Sequence, residues 1–107
     1  MSLRQKKNEI EGGVNRRHLN DKEWNCVISE IEKILQEPFV SRVKQEYISL
    51  SNADIRFCCL LKIGLDAQEL VDFLGYSFQA INKRKKIIRE RMNLTTFDDV
   101  LEALSKI

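Results

Sequence analysis

Residues 66–91 read Asp-Ala-Gln-Glu-Leu-Val-Asp-Phe-Leu-Gly-Tyr-Ser-Phe-Gln-Ala-Ile-Asn-Lys-Arg-Lys-Lys-Ile-Ile-Arg-Glu-Arg. Asp66 followed three residues later by Glu69 forms a capping box, which satisfies N–H groups that a helix start leaves open. Leu70, Val71, Phe73 and Leu74 then give an apolar face until Gly75, which can take the left-handed conformation that ends a helix. Ser77 is an N-cap for a second, longer helix running from Phe78 to about Arg91. A short helix, a tight turn containing glycine and a longer helix is the grammar of a helix-turn-helix, whose second helix enters the major groove of DNA.

The charge of the second helix supports that reading. Between Gln79 and Arg91 stand Lys83, Arg84, Lys85, Lys86, Arg89 and Arg91 against the single acid Glu90, a net +5 in a chain whose total is +2. The rest of the sequence is therefore mildly acidic, at −3, and the positive field is confined to one element. A concentrated field of that sign points to a polyanion. At about 100° per residue, Ile81, Ile88 and Met92 fall together as the inward stripe, flanked by Arg84 and Lys85. Gln79, Asn82, Lys83 and Lys86 fall opposite, in the half of the helix that reaches bases in this motif. Lysine reads guanine O6 and N7, and Asn or Gln pairs with adenine, so these four are the expected base contacts. Gln68, Ser77, Lys85 and Arg89 are the expected phosphate contacts, helped by backbone N–H groups at the two helix starts near Ala67 and Ser77. Glu90 falls on the DNA side and is expected to clear the groove near the helix end, with Ile87 on a flank.

Upstream, the punctuation continues. Ser51 and Asp54 open a helix through Ile55, Phe57, Cys58, Leu60, Leu61 and Ile63 to Gly64, apolar over most of its circumference and hence the expected central element. Trp24, Val27, Ile28, Ile31 and Leu35 recur at helical spacing from an N-cap at Asn20 or Asp21 to about Gln36. Glu37-Pro38 breaks that helix, with Pro38 suited to the first turn of a next one carrying Phe39, Val40, Val43 and Tyr47. Downstream, Thr96 and Asp99 open a last helix with Phe97, Val100, Leu101 and Leu104. The expected fold is all-α: a helix-turn-helix four-helix DNA-binding domain over 51–107, preceded by a two-helix hairpin extension over 19–50 and a flexible tail or linker over 1–18.

Composition agrees. A chain of 107 residues with 43% apolar and 32% charged residues is one soluble domain, and one proline and four glycines leave too few turn residues for a sandwich or barrel. Cys26, Cys58 and Cys59 have neither metal-ligand spacing nor an even disulfide count, and suit a reducing compartment. With no apolar run long enough to span a bilayer and no secretory signal, the expected location is cytoplasmic, without membrane contact.

From Leu50 to Leu94 the sequence resembles the LuxR-type (GerE-type) DNA-binding domain of bacterial response regulators. The resemblance lies in Leu50-Ser51-Asn52-Ala53-Asp54-Ile55, Gly64 through Val71, Leu74-Gly75-Tyr76-Ser77, Ala80-Ile81-Asn82-Lys83 and Ile88 to Leu94. It implies double-stranded DNA as partner, with contacts at Asn82, Lys83 and Lys86, and transcription regulation as the role. It also implies that the helix from Thr96 is a dimerisation helix, for which Val100, Leu101 and Leu104 are candidates in a homodimer formed on DNA. Asn93, Arg84 and Ile87 depart from residues common in the family, so base preference does not carry over. The segment from Leu19 through Trp24 to Tyr47 resembles what precedes this domain in regulators that place it after a sensor, which would make the chain a C-terminal output module of a larger sensor-regulator.

Enzyme readings find little support: His18 is the sole histidine, there is no Gly-rich phosphate loop, and no metal or cofactor is expected. The competing reading is a protein-interaction helix-turn-helix, like sigma region four docking on RNA polymerase, or an adaptor that places the basic helix on an acidic partner.

Overall fold

The computed structural model describes residues 19–107, so the expected tail over 1–18, and His18 with it, lies outside the described residues. Within them the chain is all-helical, without strands: α1 (Asp21–Leu35), α2 (Phe39–Glu46), α3 (Asn52–Lys62), α4 (Ala67–Leu74), α5 (Phe78–Arg91) and α6 (Phe97–Ser105).

Local chemistry explains most of the helix starts. Asn20, Ser51, Asp66 and Thr96 each accept a backbone N–H three residues on, and the acid at that position reaches back to the cap's own N–H. Ser77 caps α5 through its hydroxyl, which accepts from the Ala80 N–H at 3.1 Å. The exception is α2. Pro38 stands just ahead of it rather than in its first turn, and gives no side-chain cap. The cap comes instead from α1, where the Glu32 carboxylate accepts the Val40 N–H at 3.1 Å. The sequence placed Asn20 and Asp21 on equal footing, and the geometry selects Asn20.

Helix ends follow the same logic. Gly75 closes α4 in the left-handed region, with φ 71 and ψ 22. Gly64, at φ 92, lies just beyond the C-cap Ile63 of α3. Gln36 ends α1 with φ 57, a conformation in which a side-chain-bearing residue is strained.

One hydrophobic core joins all six helices. The central helix is α3, which buries Asp54, Ile55, Phe57, Cys58, Cys59, Leu60 and Leu61 and packs against α1, α2 and α6. Trp24, Val27 and Ile31 of α1 and Phe39 and Val43 of α2 enter that same core, so the two N-terminal helices rest their apolar faces on the body of the chain. Trp24 meets the Phe73 ring edge-on at 6.1 Å, while the Arg56 guanidinium of α3 lies over the Trp24 ring at 5.4 Å and pairs with Asp21 at 2.9 Å. At the opposite end, Lys62 Nζ donates to the Leu104 carbonyl at 2.8 Å, placing a cation at the negative end of α6.

The fully buried Ile81 and Ile88 and the almost fully buried Met92 hold α5 on this core. Truncating such an isoleucine to alanine costs about 2–5 kcal/mol. The orientation of α5 is thus fixed by packing, and with it the side it shows to solvent.

Candidate nucleic-acid interface

With Ile81, Ile88 and Met92 inward, Gln79, Asn82, Lys83 and Lys86 all stand exposed on α5. Among the described residues, neither Lys83 nor Lys86 has an ion-pair partner. The four side chains that sequence periodicity placed on one face therefore share an open surface carrying two unneutralised cations and two amides.

The other cations of α5 are differently employed. Asp54, wholly buried at the start of α3, accepts Arg84 Nη1 on Oδ1 at 2.9 Å and Arg91 Nη1 on Oδ2. Its Oδ2 also accepts the Ser51 N–H at 2.9 Å, and Arg91 reaches the Ser51 hydroxyl at 3.3 Å. Burial alone would raise the Asp54 carboxyl. The Ser51 N–H, the Arg91 and Arg84 guanidiniums and the Ser51 hydroxyl together outweigh burial and hold it below its ordinary value. Two arginines two turns apart on α5 are thereby fastened to the first turn of α3. From sequence alone, Asp54 is legible only as half of a capping box and Arg84 as a residue near the packed side. Its partners lie 30 and 37 residues away, beyond any local pattern. The signal available in the sequence was the spacing of Arg84 and Arg91, seven residues apart and so on one side of the helix beside the apolar stripe.

Of the residues expected at phosphates, Lys85 extends its Nζ over the Phe97 ring of α6 at 4.7 Å. Arg89 donates from Nη1 to the Thr95 carbonyl at 2.9 Å and lies 3.9 Å from Glu90, while its Nε is buried without a hydrogen-bond partner among the described residues. These two side chains brace the connection between α5 and α6. Gln68 is exposed and donates to Asp72 at 3.1 Å, and Ser77 is exposed with its hydroxyl engaged as the cap of α5. Glu90 is exposed, and Ile87 is half-buried on the flank.

The two helix starts differ in electrostatics. At α4, the Asp66 and Glu69 carboxylates already occupy N–H groups, at 2.9 and 3.0 Å, so this end presents negative charge. At α5 the first turn contains no acid, and the positive end of a 14-residue helix faces outward with only the Ser77 hydroxyl on it. Beside it sits Phe78, half exposed and unforeseen as a surface residue.

In α6, the expected dimerisation residues divide. Val100 and Leu104 are buried in the chain's own core, and of the three only Leu101 stands at the surface, 40% exposed. Geometry explains the split, since the apolar face of this short helix is used against α3 and α5. The buried Cys58 and Cys59 thiols are both pushed up to about 12, chiefly by burial, and are neutral core groups, while Cys26 is exposed. No group of three or more His, Cys, Asp or Glu side chains among the described residues is placed to hold a metal ion. No helix among them is long and apolar enough to cross a membrane.

Comparison of the chain with protein-family models, with curated proteins and with solved structures finds no match.

Proposed function

We propose that this chain binds double-stranded DNA sequence-specifically, with α4, the turn Gly75–Ser77 and α5 acting as a helix-turn-helix whose second helix lies in the major groove. The observation that carries the reading is the division of labour among the cations of α5. Arg84 and Arg91 are tied to the buried Asp54, and Lys85 and Arg89 brace the junction to α6. Lys83 and Lys86 remain open beside Gln79 and Asn82. Packing of Ile81, Ile88 and Met92 and the pairing of Arg84 and Arg91 with the buried Asp54 together hold the rotation of α5, so that Gln79, Asn82, Lys83 and Lys86 face outward.

The chemistry of that face matches base edges in a major groove, about 12 Å wide and able to admit an α-helix. Lys83 and Lys86 suit guanine, and Gln79 and Asn82 suit adenine. The acid-free N-terminus of α5 suits the adjoining phosphates. The acidic start of α4 does not, which moves backbone anchoring toward α5 and away from Gln68. The resemblance of 50–94 to LuxR-type domains makes bacterial transcription regulation the role, with the chain as the output module of a sensor-regulator. Pairing of two copies on DNA falls to the surface around Leu101, the exposed apolar residue of α6.

Selection from a randomised duplex pool, followed by gel-shift titration of the enriched sequences, tests this. Enrichment of a definite site is the expected result. Absence of enrichment, together with no shift of any duplex at 50 mM salt or below, would refute it.

A further inference from the structure

Phe78 has no evident task in the fold. It is the first residue of α5 and 50% exposed, one of three large apolar side chains on the described surface. At that position a helix is helped by proline or an acid, not by an aromatic ring. The two positions that staple a chain entering a helix are those before the cap and four into the helix, here Tyr76 and Ile81, both packed on the core. Phe78 belongs to neither the core nor its margin. This half-exposed ring stands at the N-terminal end of α5, on the edge beside Asn82, where a partner can cover it.

Its position defines that partner. Phe78 precedes Asn82 by one helical turn, so the two share an edge of α5, about 40° apart around the axis. Side chains lean toward the N-terminus of a helix, so the ring reaches ahead of Asn82, off the end that enters a groove first. The bases offer a single apolar group there, the 5-methyl of thymine, which phenylalanine contacts well. Against cytosine or guanine the same ring would cover polar edges without satisfying them.

We infer that Phe78 is a specificity-determining residue that reads a thymine methyl in the base step next to the one Asn82 contacts. This rests on the DNA-binding reading above and adds to it the base class recognised at one position. Asn82 favours adenine, so the recognised step is A·T-containing at both places, with guanine preferences further along at Lys83 and Lys86.

The test uses the full 107-residue chain and the duplex most enriched from a randomised pool, in which each thymine is replaced in turn by deoxyuridine. Loss of one methyl contact corresponds to about a three- to fourfold weakening. The expected result is such a loss at one position for the unaltered chain. Phe78→Ala abolishes that difference at that position alone, and Phe78→Leu, still apolar, keeps it, with circular dichroism unchanged in both variants. The inference is overturned if no deoxyuridine substitution weakens binding, or if Phe78→Ala retains the full penalty. A pool that yields no bound duplex defeats the DNA-binding reading itself, and the inference with it. Enrichment without a methyl effect defeats the inference alone.

Discussion

Replacing Asp54 by asparagine removes one negative charge from the wholly buried point where α3 and α5 are joined. The aspartate accepts Arg84 Nη1 and the Ser51 N–H, each at 2.9 Å, together with Arg91. Asparagine keeps one acceptor oxygen, offers an amide that only donates, and faces two guanidiniums. Hydrogen bonds to charged groups contribute about 1.5–3 kcal/mol each. Removing one partner of a buried pair costs about 3–5 kcal/mol when the other stays buried. Here Arg84 and Arg91 side chains are 27% and 42% exposed, so both can turn partly to water and the loss is smaller. We expect about 2–3 kcal/mol at pH 7, a fall of about 2 M in the urea midpoint for a domain of this size.

The pH dependence supplies the sharper control. Asp54 is held below its ordinary value in the folded chain. Its contribution is therefore fully present above the unfolded value of about 4 and is lost as pH falls through the lower folded value. The difference between the native chain and Asp54→Asn should stay constant from pH 7 to about 5 and close steadily below pH 4. Urea titrations followed by circular dichroism at pH 7, 5, 4 and 3 measure it. A difference under about 0.5 kcal/mol at pH 7, or one that widens on acidification, would refute the assignment of Asp54 as the anchor of α5.

Other perturbations have equally definite outcomes. The Cys58 and Cys59 thiols, pushed up to about 12 and fully buried, should resist a thiol reagent at pH 8 until the chain unfolds, while Cys26 reacts at once; three fast thiols would contradict the packing of α3. Gly75→Ala places a Cβ on a residue at φ 71 and should cost about 1–2 kcal/mol of backbone strain, read in urea unfolding. Leu101→Lys should leave the thermal midpoint of the monomer unchanged yet reduce cooperativity on a duplex carrying two half-sites, read by analytical ultracentrifugation of the complexes; unchanged cooperativity would remove α6 from the dimer contact.

The elements that read clearly from the sequence are those whose causes are local. Reciprocal capping boxes beginning at Ser51, Asp66 and Thr96 mark the starts of α3, α4 and α6, because cap and partner lie three residues apart in the chain, while at α1 the sequence leaves Asn20 and Asp21 both open as caps. The rotation of α5 was legible for the same reason, since Ile81, Ile88 and Met92 fix it by spacing. What sequence could not show depends on contacts across the fold. Val40 is capped by Glu32 from another helix, Arg84 and Arg91 meet at Asp54, and Lys85 turns to Phe97. Val100 and Leu104 illustrate the limit from the other side. An apolar stripe on a short helix serves equally to pack inward or to pair outward, and only the position of α6 against α3 decides that these two pack inward.

The open lysines on α5 are the centre of the account, and their counterion release is directly measurable. Fluorescence anisotropy of a labelled, selected duplex, titrated from 50 to 300 mM NaCl with the native chain and with the Lys83→Ala/Lys86→Ala double variant, gives the slope of log affinity against log salt. In the proposed complex the ammonium groups of Lys83 and Lys86, directed at base edges, also displace counterions from the flanking phosphates, each worth about one unit of slope. The native chain should bind tightly with a steep salt dependence, and the double variant, with circular dichroism and thermal midpoint unchanged, should show a slope shallower by about two units. Equal slopes for the two proteins, or no binding by the native chain at 50 mM, would contradict this reading.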